Sequence, residues 1–229
     1  MKNILWATTF ALASVITLPL HAETVADLND RLASATKIID QIENTPDGGV
    51  PDFIVSKAKC IAVIPSVKKA AFVVGASYGQ GVVTCRTPNG WSAPVFLRLA
   101  GGSFGFQIGG QATDLVLVAV NDKGFEDLLH SKFKIGADAA AAAGPVGRNA
   151  SASTDILLSA ELLTYSRSKG LFAGIDLNGA VVSQNIDDTN LYYGGTAKPY
   201  EDILHGQVVV PQGARAFVRT VARYFHSVK

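Results

Sequence analysis

The stretch LRLAGGSFGFQIGGQATDLVLVAVN, residues 97–121, decides the fold. Its first part alternates. Gly102, Phe104, Phe106, Ile108, Gly110 and Ala112 share one parity; Gly101, Ser103, Gly105, Gln107, Gly109 and Gln111 share the other. A period of two sends these sets to opposite faces of a strand. One face carries two phenylalanines and an isoleucine, and the other is nearly bare. Glycine weakens a strand, so its repetition marks a bend, a bulge or close approach of other backbone. The run from Leu115 to Val120 is apolar on both parities, as a strand buried on both faces would be. The reading is a sharply curved antiparallel sheet centred here. The sequence argues against a nucleotide loop, because no Gly-Lys-Ser/Thr follows the glycines and a second strand, not a helix, comes next.

Outward from this centre, residues 24–44 predict an amphipathic helix. Thr24 and Asp27 form a capping box, and Val25, Leu28, Leu32, Ala35, Ile39 and Ile42 advance by three and four. That stripe can pack on the sheet or dock on a lipid surface. Short strands are expected at 60–64, 71–75 and 82–86, with turns at Pro65-Ser66 and at residues 79–81. Asn89-Gly90 signals a hairpin into residues 91–99. Asp122 is positioned to cap a helix over 123–133, with Phe125, Leu128, Leu129 and Phe133 buried.

Residues 135–148 are small and read as a close-packed strand beneath a crossing element. Asp138 stands alone among them, with Arg148 and Arg167 as candidate partners. A hairpin is expected at 162–166 and 171–175, a turn at Asn178-Gly179, and a solvated turn or helix cap at residues 187–190. The last helix spans about 214–226. Its Arg215, Arg219 and Arg223 line one face, and Phe217, Val218, Val221 and Phe225 the other.

The 229 residues, 48% hydrophobic and 17% charged, suit a single core-rich domain. Lys2, the apolar run over 4–20 and Ala22 read as an export signal over residues 1–22, an uncleaved anchor being the alternative. The signal is of bacterial type, which predicts the periplasm or outer envelope. Removing it lowers the net charge from +1 to 0. Cys60 and Cys85, the only cysteines, are either bridged or two buried thiols.

That zero conceals segregation. Residues 53–113 carry no acid and net +6, through Lys57, Lys59, Lys68, Lys69, Arg86 and Arg98. Residues 203–229 net +4, while 23–52 and 114–202 each net −5. No GxSxG elbow, HExxH or cysteine–histidine metal spacing occurs, which argues against a hydrolase or a zinc site. No cofactor is expected.

In order, the chain carries Ala58-Lys-Cys-Ile-Ala-Val-Ile-Pro65, Gly79-Gln-Gly81, Gly90-Trp-Ser-Ala-Pro94, the glycine stretch, Gly136-Ala-Asp-Ala139, Gly144-Pro-Val-Gly-Arg148 and Tyr165-Ser-Arg-Ser-Lys-Gly-Leu-Phe-Ala-Gly174. Together these resemble the SYLF domain family of secreted bacterial proteins and eukaryotic membrane-associated adaptors. Cys60 departs from the glycine usual there. The resemblance implies non-enzymatic lipid binding, with phosphoinositides and, in some eukaryotic members, actin as partners. Here it predicts binding of anionic phospholipid or membrane surface, and no nucleic acid. Lys57, Lys59, Lys68, Lys69, Arg215, Arg219 and Arg223 are the expected contacts, with an envelope protein-interaction scaffold as the alternative. The expected fold is α+β: a strongly curved, mostly antiparallel β-sheet, approaching a barrel, flanked by N-terminal, middle and C-terminal helices, over residues 23–229.

Overall fold

The computed structural model describes residues 22–45, 49–71, 74–104, 109–147, 160–168, 171–175, 177–195 and 198–226. Residues 1–21, nearly all of the expected signal, lie outside them, as do Gly105 and Arg148.

Thr24 starts helix α1 (Val25–Glu43) with the expected capping box, its side chain accepting from the Asp27 amide while the Asp27 carboxylate accepts from the Thr24 amide. Leu28, Leu32, Ala35, Ile38, Ile39 and Ile42 are buried and only Val25 of the expected stripe is exposed, so nearly all of the stripe is spent on the core. The lipid-docking reading of this face is corrected accordingly. A short helix, α2 (Asp52–Lys57), leads into the sheet.

The sheet begins with two long strands, β1 (Cys60–Ala71) and β2 (Val74–Thr87), where three short ones were expected. Pro65-Ser66 is no turn. It is a bulge within β1, which absorbs a proline that cannot donate to a ladder. Gly79 and Gly81 are no turn either. They are strand residues over which β1 passes closely: a Cβ at Gly79 would lie 2.7 Å from methyls of Ile64 and Val67, and one at Gly81 would meet the Val63 carbonyl. The hairpin to β3 (Gly90–Trp91) then forms around Pro88-Asn89, with Gly90 at φ +124°.

The central stretch divides into β4 (Val95–Phe104) and β5 (Gly109–Ala119). These halves are not neighbours. β4 pairs with β2 and β5 with β1, giving the local order β4-β2-β1-β5. This is a Greek key: the fourth strand returns to lie beside the first.

Asn121, not Asp122, caps helix α3 (Asp122–Leu129) by accepting from the Gly124 amide. The helix ends earlier than expected, and Phe133 sits instead on β6 (Lys132–Lys134). β7 (Ala141–Ala143) runs parallel to β8 (Leu162–Ser168). The small-residue expectation holds at Gly144, where a Cβ would run into the Tyr165 ring. Asp138 is exposed and accepts from the Lys134 amide, while Arg167 pairs with Asp114. Then come β9 (Leu171–Gly174), β10 (Val181–Gln184), α4 (Ile186–Tyr192), α5 (Tyr200–Leu204) and α6 (Arg215–Tyr224).

The order β6-β10-β4-β2-β1-β5-β8-β7, antiparallel except at β7–β8, makes a curled α+β sheet flanked by helices. Alternate residues feed two cores. Ile61, Val63, Val82, Phe96, Val116 and Val118 meet α1 and α6 on one face. Ala62, Ile64, Val83, Leu97, Leu99, Leu115 and Leu117 meet Leu128, Ile203 and Leu204 on the other. Burial on both faces explains why these strands are apolar on both parities. Cys60 and Cys85, opposite one another on β1 and β2, are joined by a disulfide.

Candidate functional site

Helix α6 is amphipathic in the plainest sense. Phe217, Val221 and Phe225 are buried, and the Phe225 ring meets Trp91 edge-on at 6.3 Å. At about 1.5–3 kcal/mol for each fully buried side chain, this face fixes the helix. It lies parallel to α1. Gly213, just before it, has no room for a Cβ against the Asn29 amide, and Asn44 donates to the Tyr224 hydroxyl at 3.0 Å.

The spacing of four then turns Arg215, Arg219 and Arg223 outward, all exposed. Arg219 Nε donates to the Arg215 carbonyl at 3.2 Å. Arg223 is 3.9 Å from Asp40 and 5.7 Å from the Tyr224 ring centroid. An exposed pair at that distance leaves most of the arginine's charge available to a partner.

The other expected contacts do not form one patch. Lys57 is exposed at the end of α2, before β1. Lys59 is 2.9 Å from Asp122. Lys68 lies far along β1, about 30 Å of extended chain from Lys59. Lys69 follows it, opposite Ser77 and Gln111 in the ladder. The lysines are two pairs at opposite ends of a strand.

Of the remaining cations of the acid-free stretch, Arg86 is firmly engaged and Arg98 only loosely. Arg86 donates to the carbonyls of Ala58 at 2.9 Å and Phe225 at 2.8 Å, and stacks 4.8 Å from the Trp91 ring centroid. Burial lowers its pKa, and it ties α2, β2 and the end of α6 together. Arg98 is 3.8 Å from Asp187. Part of the +6 therefore holds the fold together.

One group of residues was not foreseen. Arg31, Ser34, Tyr78 and Gln80 line a cleft with Lys68 between α1 and the parts of β1 and β2 beside the Pro65-Ser66 bulge. The sequence signal that bears on it is Pro65 inside a strand-like run, which marks a bulge and not the expected turn.

Among the described residues, no cluster of His, Cys, Asp and Glu is arranged to hold a metal ion. No helix there is long and apolar enough to cross a membrane.

Comparison with known proteins adds a family. The family described as "Ysc84: Las17-binding protein actin regulator" matches residues 100–224. The SH3 domain-containing YSC84-like protein 1 of Rattus norvegicus is 36% identical over 198 residues, 83% of this chain and 57% of the relative. Its Homo sapiens counterpart is 34% identical over 196 residues, 82% of this chain and 57% of the relative. Protein YSC84 of Saccharomyces cerevisiae is 30% identical over 177 residues, 76% of this chain and 37% of the relative. The chain thus spans little more than half the length of the mammalian relatives and less of the yeast one. None of these names denotes a catalytic activity.

Proposed function

The chain belongs to the Ysc84, or SYLF, family, and on that premise we propose that it is a non-enzymatic domain binding anionic phospholipid surfaces in the bacterial envelope. The observation that carries this reading is helix α6. Its apolar face is fully used by the core, yet its opposite face keeps three arginines in one exposed row. Such a row can lie on headgroup phosphates without disturbing the fold. The buried Cys60–Cys85 bridge suits an oxidising compartment and so supports export.

The magnitude is modest. Each basic side chain near an anionic surface contributes about 1 kcal/mol, falling off within a Debye length. Arg215, Arg219 and Arg223 together supply about 3 kcal/mol, so binding is weak per molecule and salt-sensitive.

Liposome pelleting of the protein over 23–229 tests this. Phosphatidylglycerol vesicles should retain it at low salt and release it as salt rises, and neutral vesicles should retain far less. Replacing Arg215, Arg219 and Arg223 together with Gln should reduce the bound fraction at least tenfold, given about 3 kcal/mol at stake. Retention of the triple variant at wild-type levels would overturn the assignment to α6.

A second reading follows from the family description, which names a Las17-binding actin regulator. The same row could dock an acidic protein surface in an envelope scaffold. Folded protein that ignores every vesicle would favour it.

A further inference from the structure

The bulge in β1 changes what faces α1. Val63 pairs with Val82 but Lys68 with Tyr78, and Ile64 pairs with Leu115 but Val67 with Thr113. β1 therefore carries one residue more than both neighbours, at Pro65-Ser66. Ser66 has φ +50°, and its amide donates to Asp114 at 2.9 Å.

An extra residue inverts the alternation beyond it. Before the bulge, Ile61 and Val63 face α1, and Ala62 and Ile64 face away. Beyond it, Val67 joins the Ile64 side and Lys68 turns toward α1. In an unbroken strand Lys68 would share the face of Ile64.

Lys68 thus comes to line a cleft of about 310 Å³ together with Arg31, Ser34, Ser66, Tyr78 and Gln80. The charges there are unequal. Arg31, its side chain only 9% exposed, is held by Glu23 and, at 2.6 Å, by Asp188. Its guanidinium also donates to Gln80 Oε1 at 3.1 Å, which leaves the Gln80 amide NH₂ as the free end. Asp114, beneath Ser66, is already taken by the Ser66 amide and by Arg167 at 3.2 Å. Lys68 is exposed and makes no ion pair among the described residues.

Glu23 and Asp188 share Arg31 and Asp114 is paired with Arg167, so the unpaired Lys68 ammonium brings the local charge to neutral, and the remaining polar groups are an amide and three hydroxyls that can all donate. That donor set suits an oxyanion. The volume, at the lower end for small-ligand clefts, admits a phosphate with a few carbon atoms.

We propose that this cleft binds a phosphate ester of glycerol size, with Lys68 as its charge contact and Ser34, Tyr78 and Gln80 as hydrogen-bond donors. It is independent of the α6 row. Arg31 and Ser34 on α1 face the cleft, whereas Asp40 and Asn44 on the same helix meet α6. The ester could be a lipid headgroup or a soluble metabolite.

Calorimetric titration of the folded protein with glycerol 3-phosphate, with glycerol as control, tests the cleft. Glycerol 3-phosphate should bind and glycerol should not. Lys68→Gln should weaken binding at least tenfold while leaving the urea midpoint unchanged, and the triple α6 variant should leave it intact. Pelleting on phosphatidylglycerol vesicles then separates the sources. Loss in Lys68→Gln assigns a headgroup, and unchanged pelleting assigns a soluble ester. No binding of glycerol 3-phosphate, equal binding of glycerol, or binding indifferent to Lys68→Gln would each overturn the site. None of those results bears on α6, which is tested by its own variant.

Discussion

The two halves of the central sheet are built from the same four strands and differ in what covers them. In the near half, around Cys60–Ile64 on β1 and Leu115–Ala119 on β5, side chains on both faces are buried under α1 and α6 on one side and α3 and α5 on the other. Beyond the bulge, Lys68, Ala76, Tyr78, Ala100 and Ala112 are exposed, and Tyr78 shows 48% of its surface. The near half is therefore where stability is stored. The described exposed residues of the far half are small apart from Lys68 and Tyr78, and those two line the cleft. A single extra residue in β1 marks the boundary between them.

If the near half holds the stability, its staple should matter most. The Cys60–Cys85 bridge closes a span of 25 residues there. Loop-closure entropy puts its removal at about 3.5 kcal/mol. Cys60→Ala with Cys85→Ala should lower the urea-derived stability by that order, and thiol counting on unfolded, unreduced wild type should find no free thiol. Two free thiols, or a double variant as stable as wild type, would remove the staple from the comparison.

The next largest effect should come at the boundary. Gly81→Val has nowhere to put a Cβ without moving the Val63 backbone, so β1 must shift. Overpacking of this kind costs about 1–3 kcal/mol. A midpoint within error of wild type would mean that β1 and β2 are not held this closely beside the bulge.

Much of the near half was legible, because its signals are local. The Thr24–Asp27 box, the three-and-four stripe of α1 and the α6 arginine row need only one element's geometry. The shift of the α3 cap from Asp122 to Asn121 is a one-residue matter of which side chain reaches the Gly124 amide. The far half is not legible in the sequence where the signals are non-local. Residues 97–121 alternate through what are two strands separated by β2 and β1, since alternation reports a face and not a neighbour. Pro65 looked like a turn because nothing local tells a turn from a bulge. Without knowledge of the bulge, the sequence does not show which side of the sheet Lys68 faces, and so it does not show the cleft. The four lysines expected as lipid contacts divide into two pairs for the same reason: spacing along a strand is distance, not proximity.

A smaller effect should appear as a pH dependence beneath the near half. Asp127 on α3 is buried, and that burial is the main reason its pKa is raised; the Glu161 charge adds to it, while Lys123 and His130 oppose it. Burial alone would raise Glu161 too. Its hydrogen bonds from Lys123 and the Ala140 amide outweigh that and hold it low. A raised carboxyl stabilises the fold at low pH and loses that contribution as pH climbs through its folded-state value. Asp127→Asn removes this pH dependence. The variant's stability relative to wild type should therefore be best at pH 7 and worsen at pH 5, read from urea midpoints. Parallel pH profiles would show that Asp127 is ionised in the folded protein.

The smallest effect should be in the far half, and it is the sharpest check on the comparison. Ala76 sits mid-strand on β2, with Ala70 opposite on β1 and Gly102 opposite on β4. Its side chain is exposed. Ala76→Val adds two methyl groups to a surface whose cross-strand neighbours are an alanine and a glycine, so no large side chain is paired directly against it. Valine also prefers extended backbone more than alanine does, a preference worth a few tenths of a kcal/mol at most in such a position. The two tendencies leave a change within about 0.5 kcal/mol of zero, the usual range for surface substitutions. The urea midpoint should hardly move, in contrast to Gly81→Val five residues along the same strand. A loss above about 1.5 kcal/mol would exceed that surface range. It would mean that the far half is packed against something in the folded protein, and the distinction between the two halves would fail.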